Sequence, residues 1–224
     1  MRGRQHFQIS VLSGLILVSP FLLSDTEVSM LFLIGLFLGS FLPDSDASDR
    51  TAKHKESVLF AFDAINEFFI YPVLLRIFNE KKRHRGILHT IVGVFIFSLL
   101  LTIITGLTFF FFKIQFNFWI IGIGLFAGGL LHLMEDCCTF SGVNPFYPKM
   151  KQYVLKGNIS TNNLQDKRPD QYSQYLGFLF VSLLVVSIWF HISQIQMIFF
   201  SVLTLILSWI VFLLICRVHK GQFR

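Results

Sequence analysis

The sequence predicts an all-α integral membrane protein, on the basis of its composition, its long apolar segments and the distribution of its basic residues. Of the 224 residues, 54% are hydrophobic and only 14% are charged, whereas a soluble domain carries about 25% charged residues. A membrane-spanning helix needs roughly 20 mostly apolar residues. Six segments approach that length, so we expect about six transmembrane helices in a single membrane domain, residues 1–224.

The six predicted spans are separated by two long polar connections and three short ones. The first span has a basic start and an apolar middle, as a signal peptide has, but it lacks a small-residue cleavage site, so we interpret it as a retained span. The second is short. The spans are Phe7–Leu23, Val28–Leu42, Ile87–Phe112, Phe116–Met134, Tyr175–Ile192 and Ile195–Cys216. Residues 1–148 thus hold four spans, and residues 149–224 hold a loop and two C-terminal spans.

The basic residues predict the orientation of these spans. With six spans, 18 of the 19 Lys and Arg residues fall on the side of the N-terminus, and only Lys113 falls on the other. The positive-inside rule then places both termini in the cytoplasm. The net charge of +6 therefore indicates topology and contact with the lipid bilayer, not a nucleic-acid partner. No pattern in the sequence indicates an oligomeric state.

One cytoplasmic segment predicts a helix that lies in the membrane interface. Within Ser57–Phe78 the polar residues Asp63, Asn66 and Glu67 share one helical face, and the remaining residues are mostly apolar. A spanning helix would hold these polar residues near its middle, which is unfavourable. We therefore expect one interfacial helix that is broken or bent at Pro72.

Histidines and aspartates recur where the predicted spans meet the cytoplasm. Four separate segments bring them to the same membrane face, although the topology was assigned from Lys and Arg alone. We therefore predict a metal site at this face. The candidate ligands are His6, Asp44, Asp46, His84, His89, His132 and Asp136.

The spacing of these residues suits metal coordination. His132 and Asp136 are four apart and share a helix face. His84 and His89 are five apart, so we expect the third span to begin near Gly86, with His84 folding back from the loop. Neutral imidazoles with carboxylates suit Zn, Mn or Fe. Because a catalytic Zn site uses about three protein ligands, seven candidates predict one or two ions, with Zn favoured.

Two neighbouring residues are candidates for a direct role in catalysis. The planar guanidinium of Arg85 suits an anionic substrate, although the positive-inside rule also explains it. Glu135, beside Asp136, is a candidate general base. Two other readings stay open: the His132–Asp136 pair pins helices together, and the "PDSD" stretch ends a helix.

These motifs, in this order, resemble the YdjM-like family of bacterial inner-membrane proteins, proposed metal-dependent hydrolases of which some are under LexA control. The resemblance covers residues 1 to about 148. The family usually has a histidine directly after "PDxD", where this chain has Ala47, so that ligand is missing or is replaced by His54. The shared motifs are His6, "LPDSD" (Leu42–Asp46), "HRGILHT" (His84–Thr90), "GLLHLMED" (Gly129–Asp136) and "GVNPFYP" (Gly142–Pro148).

The resulting prediction is a membrane-embedded, metal-dependent hydrolase that acts at the cytoplasmic interface. A site at that depth is reached sideways from the bilayer, so we expect a lipid or lipid-linked ester as substrate. The basic surroundings favour a phosphoester. We expect the interfacial helix and the "GVNPFYP" segment to frame the entrance.

The alternative is a non-enzymatic metal-binding membrane protein, either a transporter or a scaffold. A transporter should place polar residues near the bilayer midplane, where these spans offer only Ser, Thr and Gly. A structural metal site is coordinatively closed, whereas a catalytic one keeps an open position.

Overall fold

The computed structural model describes residues 3–22, 24–46, 68, 71–78, 86–114, 116–150, 153–160, 163 and 165–221. Within these ranges the protein is helical, with two short strands. The seven α-helices are α1 (Gly3–Val18), α2 (Thr26–Phe41), α3 (Tyr71–Phe78), α4 (Ile91–Phe111), α5 (Phe118–Cys137), α6 (Arg168–Trp189) and α7 (Gln194–Ile215). Two 3-10 turns, Pro43–Asp46 and Ile87–His89, follow α2 and precede α4.

Four of the helices, α4 to α7, are long and apolar enough to cross a membrane. The first two are shorter: α1 and α2 have 16 residues each, or about 24 Å at 1.5 Å per residue. That length falls below the roughly 30 Å of a hydrocarbon core. The membrane class is therefore supported, whereas the count of six spans and the cytoplasmic termini stay predictions.

Among the described helices, α2 and α5 pack together most extensively, and glycines permit their close approach. A Cβ atom at Gly35 would lie 2.1 Å from the carbonyl oxygen of Ile121, and one at Gly128 would lie 2.1 Å from that of Leu36. Small residues spaced four apart let helix backbones touch inside a membrane. No short loop joins the C-terminal ends of α2 and α5. The packing of the two helices therefore determines which side chains meet at these ends.

The start of α4 differs from the prediction. The helix begins at Ile91, not at Ile87, because Thr90 has an extended backbone and caps it, accepting a hydrogen bond from Gly93 N at 2.9 Å. The Thr90 hydroxyl also donates to the Ile87 carbonyl oxygen at 2.7 Å. His89 consequently belongs to a 3-10 turn held against the helix end.

The "GVNPFYP" segment packs over the 3-10 turn that contains His89. Ile91 N donates to the carbonyl oxygen of Pro145 at 2.9 Å. Val143 and Tyr147 are buried in one apolar cluster with Ile87. The segment thus covers the start of α4, and its role in framing an entrance for substrate stays a prediction.

The predicted interfacial helix Ser57–Phe78 falls largely outside the described residues, including Asp63, Asn66 and Glu67. Its last part is α3, in which Pro72 occupies the second position, where proline is tolerated in a helix. Leu75 and Phe78 pack against the apolar cluster of the 3-10 turn. Val73 and Ile77 are exposed on the other side.

The C-terminal helices join the rest of the protein through a second apolar cluster. Trp209 and Phe212 of α7 pack there with Ile9 of α1 and Tyr172 of α6. Beyond α7, the chain forms β2 (His219–Gly221), which pairs antiparallel with β1 (Val154–Lys156) from the loop before α6.

Candidate metal centre

Three of the predicted ligands, from three different elements, converge at one end of the helices. Asp44 lies in the 3-10 turn after α2, His89 in the turn before α4, and His132 on α5. One ligand atom from each of the three lies within 4.8 Å of the other two. Both histidines are buried, at 1% exposure each.

A fourth predicted ligand, Asp136, borders the same space. Its Oδ2 atom is 3.5 Å from His89 Nε2 and 3.8 Å from His132 Nε2. Asp44 Oδ1 is 3.7 Å and 3.6 Å from the same two nitrogens. Each carboxylate therefore faces both imidazoles.

These separations fit a small cation held between the groups. Ligand atoms at about 2.1 Å from a tetrahedral ion lie roughly 3.4 Å apart. The four His–Asp separations, from 3.5 to 3.8 Å, are slightly wider than that and wider than a good hydrogen bond. His132 Nε2 is buried with no hydrogen-bond partner among the described residues. A buried nitrogen of this kind is expected when a metal supplies the partner.

The orientation of His132 is fixed by α2. Its Nδ1 atom is 2.7 Å from the backbone carbonyl oxygen of Ser40, which can only accept a hydrogen bond. Nδ1 therefore carries a proton, and Nε2 is the ring nitrogen that faces the two carboxylates. Metal-binding histidines usually have such an outer partner. This carbonyl could not be predicted from the sequence, because a backbone acceptor has no residue signature.

Of the two candidate carboxylate ligands, Asp44 is the one exposed to the surroundings. Its side chain is 50% exposed, whereas that of Asp136 is 4% exposed. Partial burial raises the pKa of Asp44, but the neighbouring imidazoles of His132 and His89 outweigh this and hold it well below its usual range. The carboxylate is therefore ionised, the form that binds cations.

Two further predicted residues form a separate pair beside the centre. Glu135 is fully buried, accepts a hydrogen bond from Ser10 Oγ at 3.0 Å and contacts His6 Nδ1. His6 lies outside the cluster of mutually close ligand atoms. Its prediction as a ligand is not tested by these contacts, and neither is that of Glu135 as a general base.

The remaining predicted site residues lie wholly or partly outside the described part of the chain. His84, Arg85, Ala47 and His54 are not described, and for Asp46 only the backbone is. Their roles stay predictions.

Comparison with known proteins supports the resemblance seen in the motifs. No curated protein and no solved structure matches the chain. The family model described as "YdjM inner membrane protein" matches residues 1–220. The match extends past residue 148 and includes α6 and α7. The chain therefore belongs to the YdjM family of inner membrane proteins.

Proposed function

We propose that this inner membrane protein is a metal-dependent hydrolase whose active site is the centre formed by Asp44, His89, His132 and Asp136. The observation that carries the proposal is the convergence of two imidazoles and two carboxylates with one half-exposed member. Imidazole with carboxylate favours a transition metal, with Zn first and Mn or Fe as alternatives. When bound, such an ion would polarise a phosphoryl or carbonyl oxygen and make a nearby water more acidic.

The position of the centre supports a lipid-like substrate. Asp44 follows α2, His89 precedes α4, and His132 and Asp136 lie in the last two turns of α5, so the centre lies near the predicted cytoplasmic end of the bilayer. The 3-10 turn of His89 contacts α3, whose exposed side carries Val73, Arg76 and Ile77. A helix with an apolar exposed face and one cation suits the headgroup boundary of a membrane. An amphiphile can thus approach the exposed side of Asp44 from the bilayer.

A phosphoester is favoured over a carboxyl ester by the surrounding charge. The "KKRHR" stretch directly precedes the turn of His89, and Arg76 is exposed on α3. Among these basic residues, Arg85 is the proposed anion-binding residue, because its planar guanidinium group can form two hydrogen bonds with a phosphate.

The test is metal analysis combined with turnover. Detergent-purified parent protein should contain one or two equivalents of a transition metal and hydrolyse at least one member of a panel of lipid phosphates and lipid esters. His132→Ala with Asp136→Ala should remove the metal and the turnover while the protein still inserts. His219→Ala is the matched control, because that histidine is exposed in β2 and should have no effect.

Two outcomes would contradict the proposal. Normal metal content in the double variant would exclude these ligands. Stoichiometric metal without hydrolysis of any lipid phosphate or ester would favour the scaffold alternative, in which the metal is structural.

A further inference from the structure

A second buried polar cluster joins the N-terminal helix to the proposed metal centre. Glu135 is in the last turn of α5 and is fully buried. It has two partners on α1: Ser10 Oγ donates to Oε1 at 3.0 Å, and His6 Nδ1 contacts Oε2. A buried carboxylate is costly unless it is paired and hydrogen-bonded, so these contacts account for its presence. They also hold the imidazole of His6 in one place.

His6 is held against the ring face of His132, which is a proposed metal ligand. The rings of His6 and His132 are stacked, with centroids 4.6 Å apart and an angle of 16° between their planes. The edge of the His132 ring is bound to the Ser40 carbonyl oxygen. On another side His89 meets it edge to face, with centroids 6.0 Å apart and planes at 70°. His132 is thus constrained at its edge and at its face.

The stacked arrangement argues against His6 as a ligand of the same ion. Two imidazoles that share an ion direct their nitrogens at it, and these nitrogens approach to roughly 3.4 Å. Near-parallel rings stacked at 4.6 Å instead direct their nitrogens along separate lines. In addition, the group of mutually close ligand atoms contains Asp44, His89 and His132 but no atom of His6.

We propose that His6 is a positioning residue, which Glu135 and Ser10 hold flat against His132 so that the Nε2 lone pair of His132 stays aimed at the metal. This inference rests on the proposed metal centre and assigns a new role to α1. Rotation of the His132 ring about its Cβ–Cγ bond would swing Nε2 away from the carboxylates, and such sp³–sp² torsions are broad when nothing restricts them. The stacked ring and the Ser40 hydrogen bond oppose that rotation together.

The experiment uses Co²⁺, because Zn²⁺ has no d-electron spectrum, whereas the visible bands of Co²⁺ report ligand geometry. Full-length parent, His6→Phe and His6→Ala proteins are loaded in detergent, and the affinity, stoichiometry and spectrum are measured. Phenylalanine keeps a flat ring but cannot bind a metal. We expect His6→Phe to bind Co²⁺ at least about threefold more tightly than His6→Ala and to keep bands closer to those of the parent, because its ring still fills the space beside His132 although Glu135 no longer holds it. His6→Ala should keep the stoichiometry, with 10- to 100-fold weaker binding, as for other outer-shell partners, and altered bands.

Three results would overturn the inference. If His6→Phe and His6→Ala lose affinity equally and change the spectrum alike, His6 is a ligand. If His6→Ala matches the parent, the stack has no role. If the parent binds no stoichiometric Co²⁺, the metal centre itself is absent and this inference falls with it.

A second variant covers the case in which His6→Ala does not fold. Glu135→Gln keeps the size of the side chain but removes the carboxylate that holds His6. We expect at least tenfold weaker Co²⁺ binding with altered bands and unchanged stoichiometry. Affinity and bands equal to those of the parent would overturn the inference.

Discussion

Among single residues, Asp44 combines contact with both imidazoles and exposure to the surroundings. Asp136 makes similar contacts but is buried with them. An exposed ligand can be changed with little effect on packing, whereas a buried one cannot. Asp44 is therefore the residue at which metal binding and folding are most easily separated.

We expect Asp44→Asn to reduce metal affinity by more than about 100-fold, above the loss typical of outer-shell partners. The amide keeps the shape of the carboxylate but lacks its charge, so the melting temperature of the metal-free protein should stay within a few degrees. Isothermal titration and a thermal melt in detergent check both parts. Undiminished affinity would show that Asp44 is not a ligand.

His89 needs a different treatment, because the structure corrects its expected environment. A histidine where a predicted span meets the cytoplasm would ordinarily contact water, but His89 is 1% exposed. It is enclosed because the loop after α5 covers the 3-10 turn. Substitution by alanine would therefore leave a cavity as well as remove a ligand, and loss of folded protein is expected in addition to loss of metal.

Arg85 provides a prediction about substrate rather than metal. Arg85→Lys keeps the positive charge, and so the topology, but loses the bidentate hydrogen bonding that a guanidinium group can offer to a phosphate. Metal content should be unchanged, while binding of a lipid phosphate weakens by roughly 1–3 kcal/mol. KM values for a phosphate and an uncharged ester substrate test this, since only the former should rise.

Among the elements, the crossing of α2 and α5 does most to position the centre. It brings Asp44 and the Ser40 carbonyl from one helix end to His132 and Asp136 of the other. A Cβ at Gly39 would lie 2.1 Å from the carbonyl oxygen of Leu125, and backbone cannot move aside as a side chain can. The geometry of the centre thus depends on the absence of side chains at these positions.

Gly39→Ala should consequently weaken metal binding without touching a ligand. The clash should force α2 and α5 apart at a cost of about 1–3 kcal/mol or more, and Ser40 should move away from His132. Gly177→Ala on α6 is the control, because its Cβ would meet only Leu12 Cδ2, at 3.9 Å. A lower melting temperature and lower metal affinity for the first variant alone would support this account; equal behaviour of the two would refute it.

At the scale of the whole molecule, contacts between distant segments agree with the predicted sidedness. Lys156 pairs with His219 across the two strands, and Gln5 Nε2 donates to Asp170 at 3.2 Å. These four residues were all assigned to the cytoplasmic side. On the opposite side, Gln194 Nε2 donates to Ser24 Oγ at 3.1 Å.

Reporter fusions test this topology directly. Fusions after Lys156 and at the C-terminus should read cytoplasmic, and one within Ser24–Glu27 should read external. Because β1 pairs with β2, the first two reporters must agree with each other. An external C-terminus would refute the six-span arrangement.

The sequence by itself determined the membrane class, the approximate helices and the His132–Asp136 pair. These depend on local properties, namely apolar length and helical period. It also indicated that the candidate ligands gather on one face, because the distribution of Lys and Arg records orientation. The bounds of four helices were predicted to within about four residues, and the start of α6 was missed because its first turns, from Arg168, are polar.

Only the tertiary structure decided how these parts meet. The Ser40–His132 contact spans 92 positions of the chain and the Ser10–Glu135 contact spans 125. No periodic pattern connects such distant residues, since their approach depends on the shape of the helix surfaces that pack between them. The shallow glycine surface of α2 and α5 brought Asp44 to His132. The packing of α1 against α5 placed His6 with Glu135, outside the group of close ligand atoms.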